Sequence, residues 1–297
     1  EYIKGLQKGV LGTTEPDVHD LLWGSKNITF TTNNCDVIEE CDLIFTFVAT
    51  PSLEDGSYDV SIVEKVVQDI TTSSSNLSGN LSGKSLVVGC TTNPGDCDRF
   101  QKELNYFGMD VYYNPEFIAQ GSIVRDLQKP DIVLICGDGR HAIAIEGIYM
   151  KIVESDCSVH CMSTKAGEIV KIAINTFLTT KISYANLLGE VLALSGLSNE
   201  IDSVLSAIGN DSRIGKKYLN YGFGFGGPCF PRDNRSFASY ANSVGVEFNI
   251  GETTDNFNNE HAKFLKDYFI KDNKDKLPFC FRYIAYKEGT DILTESQ

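Results

Sequence analysis

The stretch Lys84–Gly108, KSLVVGCTTNPGDCDRFQKELNYFG, decides the fold. KSLVVGCT (84–91) is a continuous apolar run of strand length, a Pro-Gly turn follows, and GDCDRFQKELNYFG (95–108) reads as a helix. A strand without polar alternation is buried on both faces, as in a parallel sheet covered by helices. The neighbouring runs repeat the pattern. CDLIFTFVAT (41–50) is a strand, VSIVEKVVQDI (60–70) a helix, MDVYY (109–113) a strand and DIVLICG (131–137) another. This order predicts an α/β fold with a Rossmann-like parallel sheet and crossover helices. TTSSSNLSGNLSGKS (71–85), rich in Ser and Gly, predicts a flexible loop before the 84–91 strand.

From Ser163 the character changes. Residues 163–196 carry apolar side chains at helical spacing for about nine turns, with Ser163 and Thr164 as candidate caps. A helix of that length bridges domains or lines a subunit interface. NEIDSVLSAIG (199–209) is a second helix, followed by the glycine-rich YGFGFGGPCFPRD (221–233), a helix after Arg232 and one near 254–270. KDNKDK (271–276) reads as a charged linker, and FCFRYIAYKEGTDILTESQ (279–297) as one strand and a loop. The expected division is a Rossmann-like domain over 1–160, N-terminally incomplete, then a mostly helical central domain over 161–253. Residues 254–297 supply a linker helix and the start of a second α/β domain.

Composition narrows the partners. The chain has 297 residues, 42% of them hydrophobic, and a formal net charge of −14, so a nucleic-acid or anionic-membrane partner is not expected. No apolar run approaches the ~18 residues of a membrane span, and EYIKGLQKGV lacks a signal-peptide core; the expected location is cytoplasmic. Nine cysteines, odd in number and without a Cys-x-x-Cys pair, suit reduced thiols rather than a disulfide frame or a zinc site.

Four groups of residues carry candidate chemistry. Cys229 follows glycines 222, 224, 226 and 227, which allow close approach of a substrate, and precedes Arg232. It is a candidate nucleophile or a further buried cysteine in a glycine turn. Lys171 and Asn175 stand i, i+4 on the long helix among apolar neighbours, where the ammonium either stabilises an oxyanion or snorkels to water. Glu116, in NPEFIAQGS (114–122), follows a strand and either faces the ligand edge of the sheet or is a solvated loop charge. Small hydroxyl residues after strands, in ATPSLEDGSYD (49–59) and CTTNPG (90–95), line a dinucleotide crevice or simply form turns.

Taken in order, GTTEPDVHDLL, CDLIFTFVATP, CTTNPG, NPEFIAQGS, KIAINTFLTTKISYAN, DSRIGKKYLNYGFGFGGPCFPRD and YKEGTDILTES resemble the UDP-glucose/GDP-mannose dehydrogenase family over nearly the whole chain. The resemblance implies two NAD-dependent hydride transfers that take a sugar C6 alcohol through an aldehyde to a uronic acid. It implies Cys229 as the residue forming a thiohemiacetal and then a thioester, and Lys171 as the oxyanion stabiliser. Asn175 and Asp233 would position or activate water, with Glu116 the base for thioester hydrolysis. Thr50, Pro51, Thr92 and Gln120 map onto cofactor-lining positions, and Phe117, Tyr221, Phe225, Gly226 and Lys287 onto substrate positions. Arg213 corresponds to an arginine that reaches the sugar nucleotide from the partner of a homodimer formed through the long helix. UDP-glucose is the implied substrate because GFGFGGPCFPRD is nearest to that branch, with GDP-mannose and other UDP-sugars as alternatives.

The pattern also has departures. The family's Gly-x-Gly-x-x-Gly turn has no counterpart here, since EYIKGLQ aligns with the helix beyond it; weak NAD binding and an edge prone to pairing are therefore expected. Gln120 stands where the family commonly has glutamate, and Thr294 where it has arginine. Two readings follow: a nucleotide-sugar dehydrogenase, whose thiol is expected to have a lowered pKa, or a catalytically silent relative serving as a dimerisation or scaffold module.

Overall fold

The computed structural model describes residues 1–76, 80–287 and 290–297. It comprises two compact units, Glu1–Pro51 with Tyr58–Val170, and Ser52–Ser57 with Lys171–Gln297.

The first unit begins with helices α1 (Tyr2–Leu6), α2 (Val18–Gly24) and α3 (Asn34–Glu40). Strands and helices then alternate: β1 (Leu43–Thr46), α4 (Ser61–Asn76), β2 (Ser85–Val88), α5 (Asp96–Leu104), β3 (Asp110–Tyr113), α6 (Ile123–Gln128), β4 (Ile132–Cys136), α7 (Ala142–Ile152) and β5 (Ser158–Met162). All four residues of β2 are buried, as the unbroken apolar run requires. The strands lie in the order β1-β2-β3-β4-β5. Val87, Tyr112, Val133, Ile135 and Ile145 form one core cluster beneath them.

The sheet departs from the all-parallel expectation at one place. β1, β2 and β3 pair in parallel, as do β4 and β5, but β3 meets β4 antiparallel at the single pair Tyr113↔Cys136. A parallel crossover needs a dozen or more residues, usually including a helix that packs on the sheet face. Between β3 and β4 the only helix is the six-residue α6, in a connection that contains Pro115 and Pro130. The predicted 71–85 loop also differs, because α4 runs on to Asn76. Val63, Val67, Ile70 and Ser73 continue one buried face, and Ser73 Oγ lies 3.3 Å from Cys35 Sγ of α3. Residues 77–79 of that stretch lie outside the described residues.

The second unit is helical. α8 (Thr164–Leu194) starts in the first unit and continues here, followed by α9 (Ile201–Gly209), α10 (Phe230–Ser243) and α11 (Ile250–Asp272). Ala185, Ile201, Leu205 and Leu219 form its core cluster, with Tyr221 packed against them. Asn249 caps α11 by accepting the Glu252 N–H at 2.9 Å. The strand predicted within 279–297 is absent among the described residues. Its apolar side chains Phe281, Tyr283 and Ile284 are exposed. Its backbone makes isolated bonds, Tyr286 N–H to Ile292 O at 3.1 Å and Gly227 N–H to Thr294 O at 2.9 Å, instead of a ladder. Glu288 and Gly289 of the YKEGTDILTES motif lie outside the described residues. Among the described residues no helix is long and apolar enough to cross a membrane.

Gly189 shows how tightly the second unit is packed. A Cβ built there would fall 1.9 Å from Cδ2 of the Tyr221 ring. An unhindered Gly→Ala change inside a helix stabilises by about 1 kcal/mol, whereas overpacking costs about 1–3 kcal/mol. Gly189→Ala is therefore expected to lower the urea midpoint; an increased midpoint would mean that the Tyr221 ring does not cover α8.

Candidate active site

Within the second unit, α8 and α10 bring four predicted residues together. Lys171 and Asn175 stand one turn apart on α8. Cys229 is the residue immediately before α10, and Pro231 lies in that helix's first turn, where a missing N–H is tolerated. The Asp233 N–H donates to Cys229 O at 2.9 Å, which sets the cysteine one turn before the aspartate. Asp233 is only 2% exposed, and its carboxylate accepts a hydrogen bond from Asn175 Nδ2. A negative charge in the first turn of α10 also suits the helix dipole.

The thiol has the opposite bias to the expected one. Cys229 is exposed by area, yet the protein atoms crowding its sulfur make the largest contribution and push its pKa up. The Asp233 carboxylate raises it further, and the Lys171 and Arg232 cations pull it down without prevailing. Arg232 is also engaged elsewhere, through Nε to Ser52 Oγ at 3.0 Å and Nη1 to Pro228 O at 3.3 Å.

The glycine-rich stretch before Cys229 is held from both sides. Gly222 N–H donates to Asn186 Oδ1 at 3.0 Å, and both backbone groups of Phe225 bond the Asn258 side chain, at 2.9 and 2.8 Å. Gly227 has φ of 85°, and a Cβ there would lie 2.5 Å from the Tyr286 ring, so glycine is required on both counts. Arg235 ties this region to the C-terminal segment by pairing with Asp255 and with both oxygens of Glu295. Beside the stretch lies a cavity of about 470 Å³, lined by Phe223, Phe279, Phe281, Tyr286, Arg282 and Lys287 among others. Its volume lies within the range of small-molecule sites, and it combines aromatic faces with cations.

The other predicted substrate residues distribute unevenly. Gly226 and Lys287 line the cavity. Phe225 is buried, and Tyr221 packs its ring over Gly189. Arg213 is exposed and forked against Asp211, with Nε–Oδ1 at 3.0 Å and Nη2–Oδ2 at 2.7 Å.

In the first unit, the remaining predicted residues follow the carboxyl ends of the parallel strands β1, β2 and β3, the ligand edge of open α/β sheets. Thr50 is buried and Pro51 exposed after β1; Thr92 is fully buried after β2. Glu116 and Phe117 follow β3, and the Glu116 charge helps raise the pKa of Cys90 and of Tyr149, both dominated by burial. Gln120 is exposed. The Thr50 hydroxyl, the Gln120 amide and the backbone at this edge fit the carboxamide and phosphates of a dinucleotide, whereas Thr92 is fully buried and its hydroxyl is given to Glu168. Among the described residues no cluster of three His, Cys, Asp or Glu side chains could hold a metal.

Two buried groups escape the sequence reading. Glu168, on the first-unit part of α8, accepts from Thr92 Oγ1 at 2.8 Å, Gly95 N–H at 2.6 Å and Cys97 N–H at 3.0 Å. It thereby fixes the turn between β2 and α5, while burial raises its pKa against those hydrogen bonds. His261, on α11, bonds Glu190 and Gly222. A signal for His261 exists in hindsight, since Thr254, Asn258, His261 and Leu265 recur at helical spacing and are all buried.

Comparison with known proteins identifies the family and the fold. Residues 1–153 match the NAD binding domain of the UDP-glucose/GDP-mannose dehydrogenase family, and residues 165–260 match that family's central domain. A UDP-glucose 6-dehydrogenase of Pseudomonas aeruginosa is 28% identical over 312 aligned positions, covering 100% of this chain and 67% of that protein. One from Bacillus subtilis is 29% identical over 280, covering 90% and 58%. The solved structure of a UDP-glucose dehydrogenase from Pyrobaculum islandicum superposes with a TM-score of 0.83 at 28% identity, covering 99% of this chain and 69% of that one. The chain thus spans from over half to about two thirds of the length of these relatives.

The charge balance at Cys229 gives a signed expectation. Asp233→Asn, which removes a charge that raises the thiol pKa, should move the pH midpoint of Cys229 alkylation down; Lys171→Met should move it up. Midpoints shifted the other way, read by iodoacetamide labelling and peptide mapping, would contradict the described surroundings.

Proposed function

Because the chain belongs to the UDP-glucose/GDP-mannose dehydrogenase family, we propose that it oxidises the C6 alcohol of a UDP-sugar to the carboxylate, converting UDP-glucose to UDP-glucuronate. The observation that carries this reading is the grouping of Cys229, Lys171, Asn175 and Asp233 around one thiol. Bound NAD supplies the hydride acceptor for both oxidations. In the second, the Cys229 sulfur forms a C–S bond to the C6 aldehyde and the carbonyl electron pair moves onto oxygen, where the Lys171 ammonium offsets the charge. Loss of hydride from that carbon leaves a thioester on Cys229. Water positioned by Asn175 and Asp233, its proton taken by Glu116, then breaks the C–S bond and releases carboxylate and thiol. A pKa biased upward keeps the resting thiol protonated, so its proton passes to the aldehyde oxygen as the C–S bond forms, and Lys171 offsets the charge when that oxygen gives the proton up for the hydride loss.

The substrate is assigned to the aromatic and cationic cavity, with Gly226 and Lys287 at its wall; Phe117, Tyr221 and Phe225 are assigned to the substrate by the family motifs. Thr50, Pro51, Thr92 and Gln120 are assigned to the cofactor. Arg213 is assigned to the sugar nucleotide of the partner subunit in a homodimer. What supports a homodimer is a stripe on α8, where Phe177, Tyr184, Leu187, Val191 and Leu194 are all exposed at heptad spacing, the pattern of a helix–helix seam.

Two measurements test these assignments. With NAD and UDP-glucose the protein should yield two equivalents of reduced nicotinamide per sugar, and Cys229→Ser should abolish the second; turnover only with GDP-mannose, or none with either sugar, would overturn the substrate assignment. Replacing Leu187 and Val191 together by glutamate should halve the mass in light scattering. A wild-type mass equal to one chain would contradict the dimer.

A further inference from the structure

The second unit contains a buried, titratable side chain that the proposed chemistry leaves unused. His261 is 0% exposed on α11, and both ring nitrogens meet acceptors. Nδ1 lies 2.6 Å from Glu190 Oε1 of α8, and Nε2 lies 2.7 Å from the backbone oxygen of Gly222. A neutral imidazole has one N–H and can satisfy only one such partner. The other nitrogen would point its lone pair at an oxygen, buried and out of reach of water, which is unfavourable.

We propose that His261 is a positioning residue that carries a proton on both ring nitrogens, and that through it Glu190 fixes Gly222 and the segment leading to Cys229. Three features support the charged ring. Glu190 presents an acidic side chain 2.6 Å from Nδ1 and keeps 17% of that side chain in water. Phe257 and Phe264 stack on either turn of the same helix, at 5.9 and 6.3 Å from the imidazole, with planes 16° and 15° apart. Tyr221 adds its ring at 5.9 Å, edge-on at 71°. Aromatic faces favour a cation that is already paired.

The geometry also explains what this charge would do. Gly222 is held at its N–H by Asn186 of α8 and at its carbonyl oxygen by His261 of α11. Asn258, one turn before His261 on α11, holds Phe225 in the same way. His261 is thus the charged member of a clamp that begins at Gly222 and ends just before the nucleophile. Its importance for turnover rests on the reading of Cys229 as that nucleophile, whereas the two quantities below can be measured without turnover.

Nitrogen NMR of the labelled wild-type protein, with the His261 signals assigned by loss in His261→Gln, should show protons on both ring nitrogens at neutral pH. Glu190→Gln retains an acceptor for Nδ1 but removes the charge, and should leave one protonated nitrogen. Cys229 alkylation by iodoacetamide should accelerate about tenfold in His261→Gln, and less in Glu190→Gln, as the clamp loosens. Circular dichroism establishes that each variant is folded; if His261→Gln is not, Glu190→Gln alone carries the rate test. A singly protonated ring in the wild type would overturn the proposal, and so would alkylation rates within about twofold of wild type in the folded variants.

Discussion

The hydrogen bond from Asn175 to the buried Asp233 carboxylate is the constraint on which the second unit's site depends. It joins α8 to the first turn of α10, and the Asp233 N–H in turn donates to Cys229 O one turn earlier. The same helix α8 carries Lys171 one turn before Asn175. This interhelical contact, with the Thr179 hydroxyl donating to Asn234 Oδ1 at 2.8 Å beside it, fixes an ammonium, an amide, a carboxylate and a thiol relative to one another. A buried carboxylate with one partner removed is costly, typically about 1–3 kcal/mol or more, so the pair also resists drift. The glycine-rich stretch then reaches Cys229 under clamps from Asn186, Asn258 and His261, which leaves its direction little freedom.

Much of this was legible in the sequence, for physical reasons that differ by element. The β2 run, apolar at every position, could only be a strand covered on both faces. The long α8 announced itself by helical periodicity sustained from Thr164 to Leu194. The grouping of Lys171, Asn175, Cys229 and Asp233 came from the family motifs rather than from spacing, because α8 and α10 are distant in sequence.

What remained hidden depends on tertiary partners. The antiparallel β3–β4 step and the extension of α4 to Asn76 turn on packing of a short connection and of the α4 face that includes Ile70 and Ser73, neither of which has a local signature. The missing C-terminal strand is similar, since alternating aromatics at 279–283 read as a strand but find no ladder among the described residues. The bias of the Cys229 thiol is a balance of crowding, one carboxylate and two cations, and only coordinates reveal that the crowding prevails. Glu168 and His261 lie on helix faces otherwise used for core contacts, where a polar residue signals a buried network only after its partners are known.

The most direct test of the central claim is peptide mass spectrometry of protein quenched during turnover of the C6 aldehyde of UDP-glucose with NAD. The account predicts a sugar-nucleotide acyl adduct on the Cys229 peptide and on none of the other cysteines among the nine. Reduced nicotinamide formed while Cys229 stays unmodified, or an adduct on a different cysteine, would contradict it.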